Sequence, residues 1–588
     1  MTTIFYMKKT LFFLLILTGV FIFSAGAQAA VLGEQVNFHV DSTYDSTGRS
    51  QVTATLRVAG DYIYFYIEDD YWDGLTGLYK NATREELEVL ADEFDQVIYP
   101  KERAVFGSEW NPGIDNDSRI TVLITKLVNS AGGYINIYDE YPKSQIASSN
   151  EREMIYLNSL VVLHSQNKSF LAHEFQHLIT FYQKTVLYGV EEDVWLNEAR
   201  SEYAPTICGY NDSYRNSYLA DRVDVFLEDP TDPLGEWANN TNDYGAVALF
   251  MNYLVNHYGQ DVITRMVLSD KTGIASINEA LISLGYEKSF TDIFTDWAIT
   301  NYVNNCSLGE DNQYCYLNDL TYQRLNVDYS ASYSGFPNLI VSRSSSVKDW
   351  SPRWYRFRQG TIQQTENDTL KLEFIGSASN ANFKVPYITE YGGNKIVNFM
   401  SLDNYQQGVA YIPNFTSLNK SVTMIPFNVL KKSNFTSNDA SSFFSFIASS
   451  VFDVPVIEEE EEEEEEEPIP SYPEGSLLRA IGDYRVYIIK GKYKRWIQTA
   501  EIFNNYGHLT WDDIIDVNAS VLAQYKEAWL IRADGDKKVY ELNADGTKHW
   551  MNMTAEQFTL TGRRWDMVYI VNDWERDFYK TGSAVMYQ

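Results

Sequence analysis

The pattern of hydrophobic and polar positions changes several times along the chain, and each change predicts a different kind of structure. Between residues 31 and 72 apolar and polar positions alternate, which is the period of β-strands with one buried face. From residue 83 to residue 97 apolar residues instead recur every three or four positions, as in an amphipathic helix. An apolar run at 120–125 predicts a further strand. This part of the chain therefore mixes strands and helices.

Two short segments farther along also have strand character, at residues 131–134 and 154–158. Either could be the edge strand of a sheet, where an extended peptide can add by main-chain hydrogen bonds. Either could equally be an interior strand. The residues alone leave both alternatives open.

A third pattern begins near residue 336 and continues to about residue 452, where short strand-like runs are separated by Gly, Asn and Ser. Such runs predict a β-sandwich accessory domain. It is followed by ten consecutive glutamates, Glu458 to Glu467, and by three prolines. Like charges and prolines together predict a solvated, extended spacer.

The remainder is a tandem repeat with an offset of 53 to 55 residues. The segment at 478–480 returns at 531–533, and the segment at 494–496 returns at 548–550. The sequence of each unit predicts two or three strands followed by a short helix that carries an Ala-Glu-x-Phe segment. Such modules are similar to those on bacterial surface and secreted proteins. They are the candidate binding site for a cell-surface or cell-wall ligand.

Three residues of the repeats are candidates for that contact: Arg495, Trp496 and Trp550. The alternative for the tryptophans is core packing, because a unit of this size needs large apolar residues to be stable.

The segment from His173 to His177 reads H-E-F-Q-H and carries the clearest chemistry in the chain. On a helix, residues four apart lie on one face, so His173 and His177 can bind one metal ion beside Glu174. The alternative is a pair of polar residues on an exposed helical face. Leu171 and Phe175 already supply the helix with a core face, so burial does not explain the histidine pair.

A catalytic zinc ion takes three protein ligands and keeps its fourth position for water. The segment at 194–203 reads V-W-L-N-E-A-R-S-E-Y, and twenty residues separate His177 from Glu198. With these motifs the chain resembles the gluzincin metallopeptidases, most closely the hyicolysin-type secreted bacterial peptidases. The resemblance implies that Glu198 is the third zinc ligand. It also implies that Glu202 accepts a hydrogen bond from a zinc-bound histidine; the alternative for Glu202 is a solvated surface residue.

The resemblance further implies hydrolysis of peptide bonds by a zinc-activated water, with Glu174 as general base. An additional donor usually stabilises the oxyanion that forms. Tyr244 resembles the tyrosine that the aminopeptidase branch carries at a helix start, although the lysine of the Y-x-K-G pattern of that branch is missing. His257, near the end of the same apolar run, is the other candidate.

A second metal, calcium, is an expectation at Asp115 and Asp117, which occupy alternate positions in the turn before residues 120–125. The alternative is a plain Asx turn, since no glutamate completes an EF-hand loop.

The N-terminal residues predict a secretory signal peptide. Lys8 and Lys9 precede an apolar run that ends in small residues, with a cleavage position after Ala29. We therefore expect a secreted or extracellular protein, with cell-surface association as an alternative. After signal cleavage, we expect no transmembrane span.

The net charge and the cysteines bear on the class of partner and on disulfide formation. A net charge of -33 weighs against nucleic acid as a partner, because binding to phosphates needs a basic surface. Cys306 and Cys315 are close enough to form a disulfide in an oxidising compartment, which leaves Cys208 free or buried.

Together these observations predict a multidomain α+β protein with a zincin-like peptidase domain, a β-sandwich and two small α+β repeats. The predicted segments are a signal peptide (1–29), a β-rich segment (30–75), the peptidase domain (76–335), the sandwich (336–455), the linker (456–473) and the repeats (474–525 and 526–588). The predicted function is that of a secreted zinc endopeptidase acting on protein or peptide. One alternative is a zinc aminopeptidase, although the chain has no G-x-M-E-N segment, which in that branch anchors the free amine of the substrate. The other alternative is a non-catalytic adhesion protein.

Overall fold

The structure, a computed structural model, describes most of the chain. The described residues are 29–317, 325–360, 368–377, 381–418, 420–430, 441–452, 472–481, 483–518, 521–522, 524–543, 546–560 and 563–586. The predicted signal peptide up to residue 28 and the run of glutamates lie outside them. The chain divides into two compact units, Met1–Val456 and Ile457–Gln588. Helices combine with several mixed and antiparallel sheets, which confirms a multidomain α+β protein.

A six-stranded mixed sheet lies at the start of the first unit. Its strands are β1 (Gln35–His39), β2 (Gln51–Ala59), β3 (Ile63–Glu68), β4 (Ile120–Thr125), β5 (Gly133–Ile135) and β6 (Met154–Asn158), in the order β1-β2-β3-β4-β6-β5. Strands β3, β4 and β6 run parallel to one another, and the remaining pairs are antiparallel. The three parallel strands are buried along their whole length, which explains their nearly continuous apolar sequences.

The strand order of this sheet bears on the predicted boundary after residue 75 and on the position of the edge strand. Strand β3 lies between β2 and β4, so the predicted boundary between residues 75 and 76 falls within one sheet. The alternating N-terminal segment is thus an integral part of the fold around β4. Of the two candidate edge strands, β5 lies at the edge and β6 lies in the interior.

Ten helices of the described residues accompany this sheet. They are α1 (Asp69–Gly74), α2 (Gly77–Glu93), α3 (Tyr99–Phe106), α4 (Asn167–Thr180), α5 (Val194–Cys208), α6 (Tyr218–Glu228), α7 (Thr241–Tyr258), α8 (Asp261–Val267), α9 (Gly273–Ser283) and α10 (Phe290–Val303). The helix predicted at 83–97 begins earlier, at Gly77, and passes into a π-helical turn at Phe94–Ile98. Among the described residues, no helix has the length and apolar character to cross a bilayer.

The rest of the first unit is built of β-strands. They are β7 (Ala331–Phe336), β8 (Val341–Val347), β9 (Tyr355–Gln359), β10 (Asp368–Gly376), β11 (Phe383–Lys384), β12 (Pro386–Tyr391), β13 (Asn394–Phe399), β14 (Gln407–Ile412), β15 (Ser421–Met424), β16 (Phe427–Asn428) and β17 (Ser442–Phe452). A four-stranded sheet has the order β14-β10-β17-β8, and a five-stranded sheet has the order β13-β12-β15-β9-β7. Phe357 and Val422 of one sheet share an apolar core with Phe374 and Phe446 of the other. Two sheets that face one core have the packing of a β-sandwich.

The second unit contains the two repeats. Its elements are β18 (Leu477–Ala480), β19 (Val486–Lys490), β20 (Tyr493–Ile497), α11 (Ala500–Asn505), β21 (Ile514–Val517), β22 (Lys526–Glu527), β23 (Leu530–Ala533), β24 (Tyr540–Leu542), β25 (Thr547–Asn552), α12 (Ala555–Leu560), β26 (Val568–Val571), α13 (Asp573–Phe578), β27 (Lys580–Thr581) and β28 (Val585–Met586). The sheet orders β21-β18-β19-β20-β22 and β26-β23-β24-β25-β27 match strand for strand. Because β22 pairs with β20, the first repeat extends beyond the predicted boundary at residue 525.

Arg495 does not occupy the exposed position that a ligand contact requires. It is 4 % exposed, and its guanidinium lies 2.5 Å from the Glu575 carboxylate of the other repeat. Trp496 and Trp550 are half-buried. The expectation for Arg495 was wrong, because a buried ion pair between the repeats takes up its charge.

The cysteines of the first unit behave as expected. Cys306 and Cys315 form a disulfide with their Cα atoms 4.9 Å apart. Cys208 is a free, buried thiol at the end of α5.

Candidate metal centre

Helix α4 carries the H-E-x-x-H motif through the interior of the first unit. Leu171 and Phe175 are fully buried in its main apolar core. His173, Glu174 and His177 lie on another face and are also only 6–7 % exposed. Polar side chains at such depth need partners, so the exposed-face alternative for this motif does not hold.

Helix α5 packs against α4 and brings Glu198 to the two histidines. The Oε2 atom of Glu198 lies 3.3 Å from Nε2 of His173 and 3.5 Å from Nε2 of His177. The two Nε2 atoms are 3.2 Å apart. Among the described residues, these three side chains bring their donor atoms close enough together to hold one metal ion.

The separations of the donor atoms fit a tetrahedral ion with zinc-like bond lengths. Zinc bonds of about 2.1 Å to nitrogen or oxygen place two ligand atoms about 3.4 Å apart at tetrahedral geometry. The three observed separations are all close to this value. Within the described residues, Oε2 of Glu198 is buried and accepts no hydrogen bond, although it faces both imidazoles. Two histidines and a glutamate therefore form a triad with the geometry to hold a metal ion.

Glu202, one turn after Glu198 on α5, contacts the side of the His173 ring that faces away from Glu198. Its Oε1 atom lies 3.3 Å from Nδ1 of His173. Arg222 of α6 donates to both oxygens of Glu202 at 2.7 and 2.9 Å, and the Tyr218 hydroxyl donates to Oε1 at 2.9 Å. Burial opposes ionisation of Glu202, but Arg222 and then His173 lower its pKa. The solvated alternative for Glu202 was wrong, because its side chain is fully buried in this network.

The second histidine has a support that the sequence did not indicate. The Ser201 hydroxyl lies 3.1 Å from Nδ1 of His177 and donates to the Gln176 side-chain oxygen at 2.6 Å. Contacts at Nδ1 hold each imidazole ring in place and leave its Nε2 directed at the metal position. Ser201 directly precedes Glu202 in the segment at 194–203, but nothing in the sequence pattern indicates its contact with His177.

Glu174 lies between the triad and the edge strand β5. Burial raises the pKa of Glu174, whereas His173 and His177 act to lower it. A Cβ atom placed on Gly133 would lie 3.0 Å from Oε1 of Glu174 and 2.9 Å from the carbonyl oxygen of Tyr156. Glycine at this position lets the edge strand pass directly against the Glu174 carboxylate.

Tyr244 lies in the first turn of α7, on another side of the triad. Its ring centre is 6.4 Å from the ring of His173, and the guanidinium of Arg222 lies 5.0 Å above its ring. Burial, followed by the charges of Glu198 and Glu202, raises the pKa of Tyr244 well above its usual value. Its hydroxyl therefore stays protonated and available as a donor.

His257 is excluded as the alternative donor. It lies thirteen residues after Tyr244 on the same helix, which corresponds to about 20 Å along the axis. Its Nε2 atom contacts the carbonyl oxygen of Cys315 at 2.8 Å.

Tyr44 is a neighbour of the site that the sequence did not reveal. Its ring stacks on Tyr134 of β5 with the ring centres 4.6 Å apart. Burial raises the pKa of Tyr44, and the charges of Asp41, Glu174 and Glu198 add to this effect. The N-terminal segment thus packs against strand β5, whose Gly133 neighbours Glu174.

The turn at Asp115 and Asp117 has the hydrogen bonds of an Asx turn. Asp115 accepts from the main-chain amide of Asp117 at 2.9 Å. Asp117 accepts from the Tyr64 hydroxyl at 2.9 Å and forms an ion pair with Arg119 at 3.4 Å. These contacts favour the Asx-turn alternative over calcium for this pair.

Comparisons with known proteins give no family for the chain. No family model matches, and no curated protein matches. Among solved structures, the pre-peptidase C-terminal domain of a collagenase from Bacillus anthracis matches 21 % of this chain and 99 % of its own, at 8 % identity and a TM-score of 0.14. A family GH115 4-O-methyl-α-glucuronidase matches 54 % of this chain and 48 % of its own, at 10 % identity and a TM-score of 0.13. Similarity this weak supports no conclusion about fold or function.

Proposed function

We propose that the protein is a secreted zinc-dependent metalloendopeptidase of the gluzincin type. The observation that carries the proposal is the triad of two buried histidines, His173 and His177, and Glu198, whose donor atoms are spaced for one tetrahedral ion beside Glu174. Two histidines and one glutamate are a ligand set of catalytic zinc sites, which keep one position open for water.

The side chains around the triad have separate tasks in this proposal. Zinc, when bound, lowers the pKa of a bound water toward ~7 and polarises the scissile carbonyl. The Glu174 carboxylate accepts a proton from the attacking water and delivers it to the leaving amine. The Tyr244 hydroxyl donates a hydrogen bond to the developing oxyanion. Glu202 holds His173 in the orientation that directs Nε2 at the metal.

Strand β5 is the element that would align the substrate. It lies at the edge of the sheet, and its residue Gly133 is in contact distance of Glu174. A peptide that pairs with β5 by main-chain hydrogen bonds would bring one of its carbonyl groups past the base. Such pairing recognises an extended backbone on both sides of the cleaved bond, which favours an endopeptidase over an aminopeptidase.

Metal removal tests the proposal directly. We expect the purified protein to contain about one zinc per chain and to cleave casein. Dialysis against 1,10-phenanthroline should abolish cleavage, and stoichiometric zinc should restore it, because the triad supplies all protein ligands. Zinc content measured by atomic absorption, beside the rate of casein cleavage, checks this. A metal-free preparation that cleaves casein at an undiminished rate would contradict it.

Tyr244→Phe tests the oxyanion donor. We expect kcat to fall by about 10²-fold, the cost of losing one such donor, with little change in KM or zinc content. Steady-state kinetics on a fluorogenic peptide measure both constants. The matched control is Tyr258→Phe at the far end of the same helix, which should keep the wild-type kcat. Equal kcat values for the wild type and Tyr244→Phe would remove Tyr244 from the mechanism.

A further inference from the structure

A second group of acidic side chains, three of them buried, lies beyond the Ile135 end of strand β5, apart from the triad. It consists of Glu140, Glu153, Glu109 and Asp115, and is called the Glu140 cluster below. The three glutamates are only 1–2 % exposed. Glu140 ends the 3₁₀ turn Ile137–Glu140 that follows β5, so the cluster is linked through the main chain to the edge strand.

Glu140 is the member whose environment needs an explanation. Within the described residues, neither of its carboxylate oxygens has a hydrogen-bond partner. Burial raises its pKa well above the usual value, and the charges of Glu153, Asp139 and Glu109 raise it further. All of these neighbouring charges are negative. Burial of an ionised carboxylate without donors and without a positive charge is strongly unfavourable, so a cation or a proton must compensate it.

The neighbours of Glu140 do not supply that compensation. Glu109 accepts from the Tyr99 hydroxyl at 3.0 Å and from the Asn111 amide at 3.1 Å, and the guanidinium of Arg103 lies 3.3 Å from it. These donors face Glu109 and do not reach Glu140.

Glu153 has one donor of its own, the main-chain amide of Ile114 at 2.9 Å. Its carboxylate lies directly over Gly113, where a Cβ atom would come within 1.9 Å of Oε2. Burial raises the pKa of Glu153 to about 8, with further contributions from Asp115 and Glu109. Glycine at residue 113 therefore permits the loop to close over this carboxylate.

We propose that the Glu140 cluster binds a calcium ion, with the unpartnered carboxylate of Glu140 and the carboxylate of Glu153 as its ligands. Oxygen ligands alone select a hard cation over zinc. The oxygens of the cluster are not gathered as closely as the donor atoms of the triad. Calcium tolerates this, because it completes a shell of six to eight oxygens with main-chain carbonyls and water, whereas magnesium demands a regular octahedron.

Calcium at this position would connect two segments of the first unit, because Glu140 follows β5 and Glu153 precedes β6. The ion would thereby fix the far end of the edge strand whose Gly133 touches Glu174. The site is independent of the triad, so it can be tested whether or not the protein is a peptidase.

The test uses the full-length chain with the substitution Glu174→Gln, which prevents self-digestion, after treatment with EGTA. We expect titration with calcium chloride to show one bound ion per chain by calorimetry. Saturating calcium should also raise the unfolding temperature of the first unit by about 3–5 °C, because a ligand that binds only the folded state stabilises it. The same concentration of magnesium chloride should have a smaller effect.

Glu140→Gln should abolish both the calorimetric signal and the calcium-dependent rise in unfolding temperature. Without calcium this variant should be at least as stable as the parent, because a neutral amide needs neither a cation nor a bound proton to compensate its burial. Glu153→Gln is the second variant, and Glu151→Gln, an exposed residue of the same loop, is the matched control that should bind calcium normally. Absence of calcium binding in the parent overturns the proposal and leaves a proton on Glu140. Calcium binding that survives Glu140→Gln but is lost in Asp117→Asn overturns the proposal in favour of a calcium site at the turn of Asp115 and Asp117.

Discussion

Replacement of Glu174 by glutamine is expected to lower kcat/KM for a peptide substrate by about 10³-fold while leaving one zinc bound per chain. Glutamine has the shape of glutamate but cannot accept a proton from water, and positioned acid–base groups contribute about 10²–10⁴-fold. Glu174 is placed between the triad and strand β5, so no metal ligand is removed by the change. Fluorogenic-peptide kinetics and zinc analysis on the same preparation measure the two effects separately.

The matched control for this variant is Glu191→Gln, an exposed position on the loop before α5. It should retain wild-type kinetics and zinc content. A Glu174→Gln enzyme that cleaves peptide at the wild-type rate would exclude Glu174 as the base, whereas one that has lost its zinc would show that the variant tests the metal site instead.

The part of the site that could be predicted from the sequence is the part that depends on local geometry. His173 and His177 lie on one face of α4 because the spacing of four residues fixes this on any helix. The position of Glu198 does not follow from helix geometry alone, because only the packing of α5 on α4 brings its carboxylate within 3.3–3.5 Å of the imidazoles. The spacing of twenty residues between His177 and Glu198 does not determine this contact. The resemblance to gluzincins was what indicated Glu198 as the third ligand.

The remaining elements of the site depend on tertiary contacts that no periodicity encodes. Arg222 reaches Glu202 from a different helix, and Tyr44 of the N-terminal segment stacks on Tyr134 of β5. The choice of β5 as the edge strand follows from sheet order, which short apolar runs do not determine. Sequence reasoning also failed for Arg495, because an arginine that pairs with Glu575 across two repeats has the same local pattern as an exposed one.

The two glutamates of α5 are expected to differ in how strongly their replacement weakens zinc binding. Glu198→Gln should weaken zinc binding by more than about 100-fold, because it replaces an anionic ligand by a neutral amide. Glu202→Gln should weaken it by about 10–100-fold, the usual effect of losing a partner that orients a zinc histidine. Both losses should appear in competition titrations with a chromophoric chelator, and peptide cleavage should fall with zinc occupancy.

The contrast between the two variants distinguishes a ligand from an orienting residue. Excess zinc should restore activity to Glu202→Gln, since its triad keeps all three donor atoms. The same excess should leave Glu198→Gln inactive, because two histidines alone do not provide the third ligand and its negative charge. If both variants bound zinc as tightly as the wild type, the contact between Glu198 and the histidines would be an ordinary buried ion pair, and the metallopeptidase proposal would fail with it.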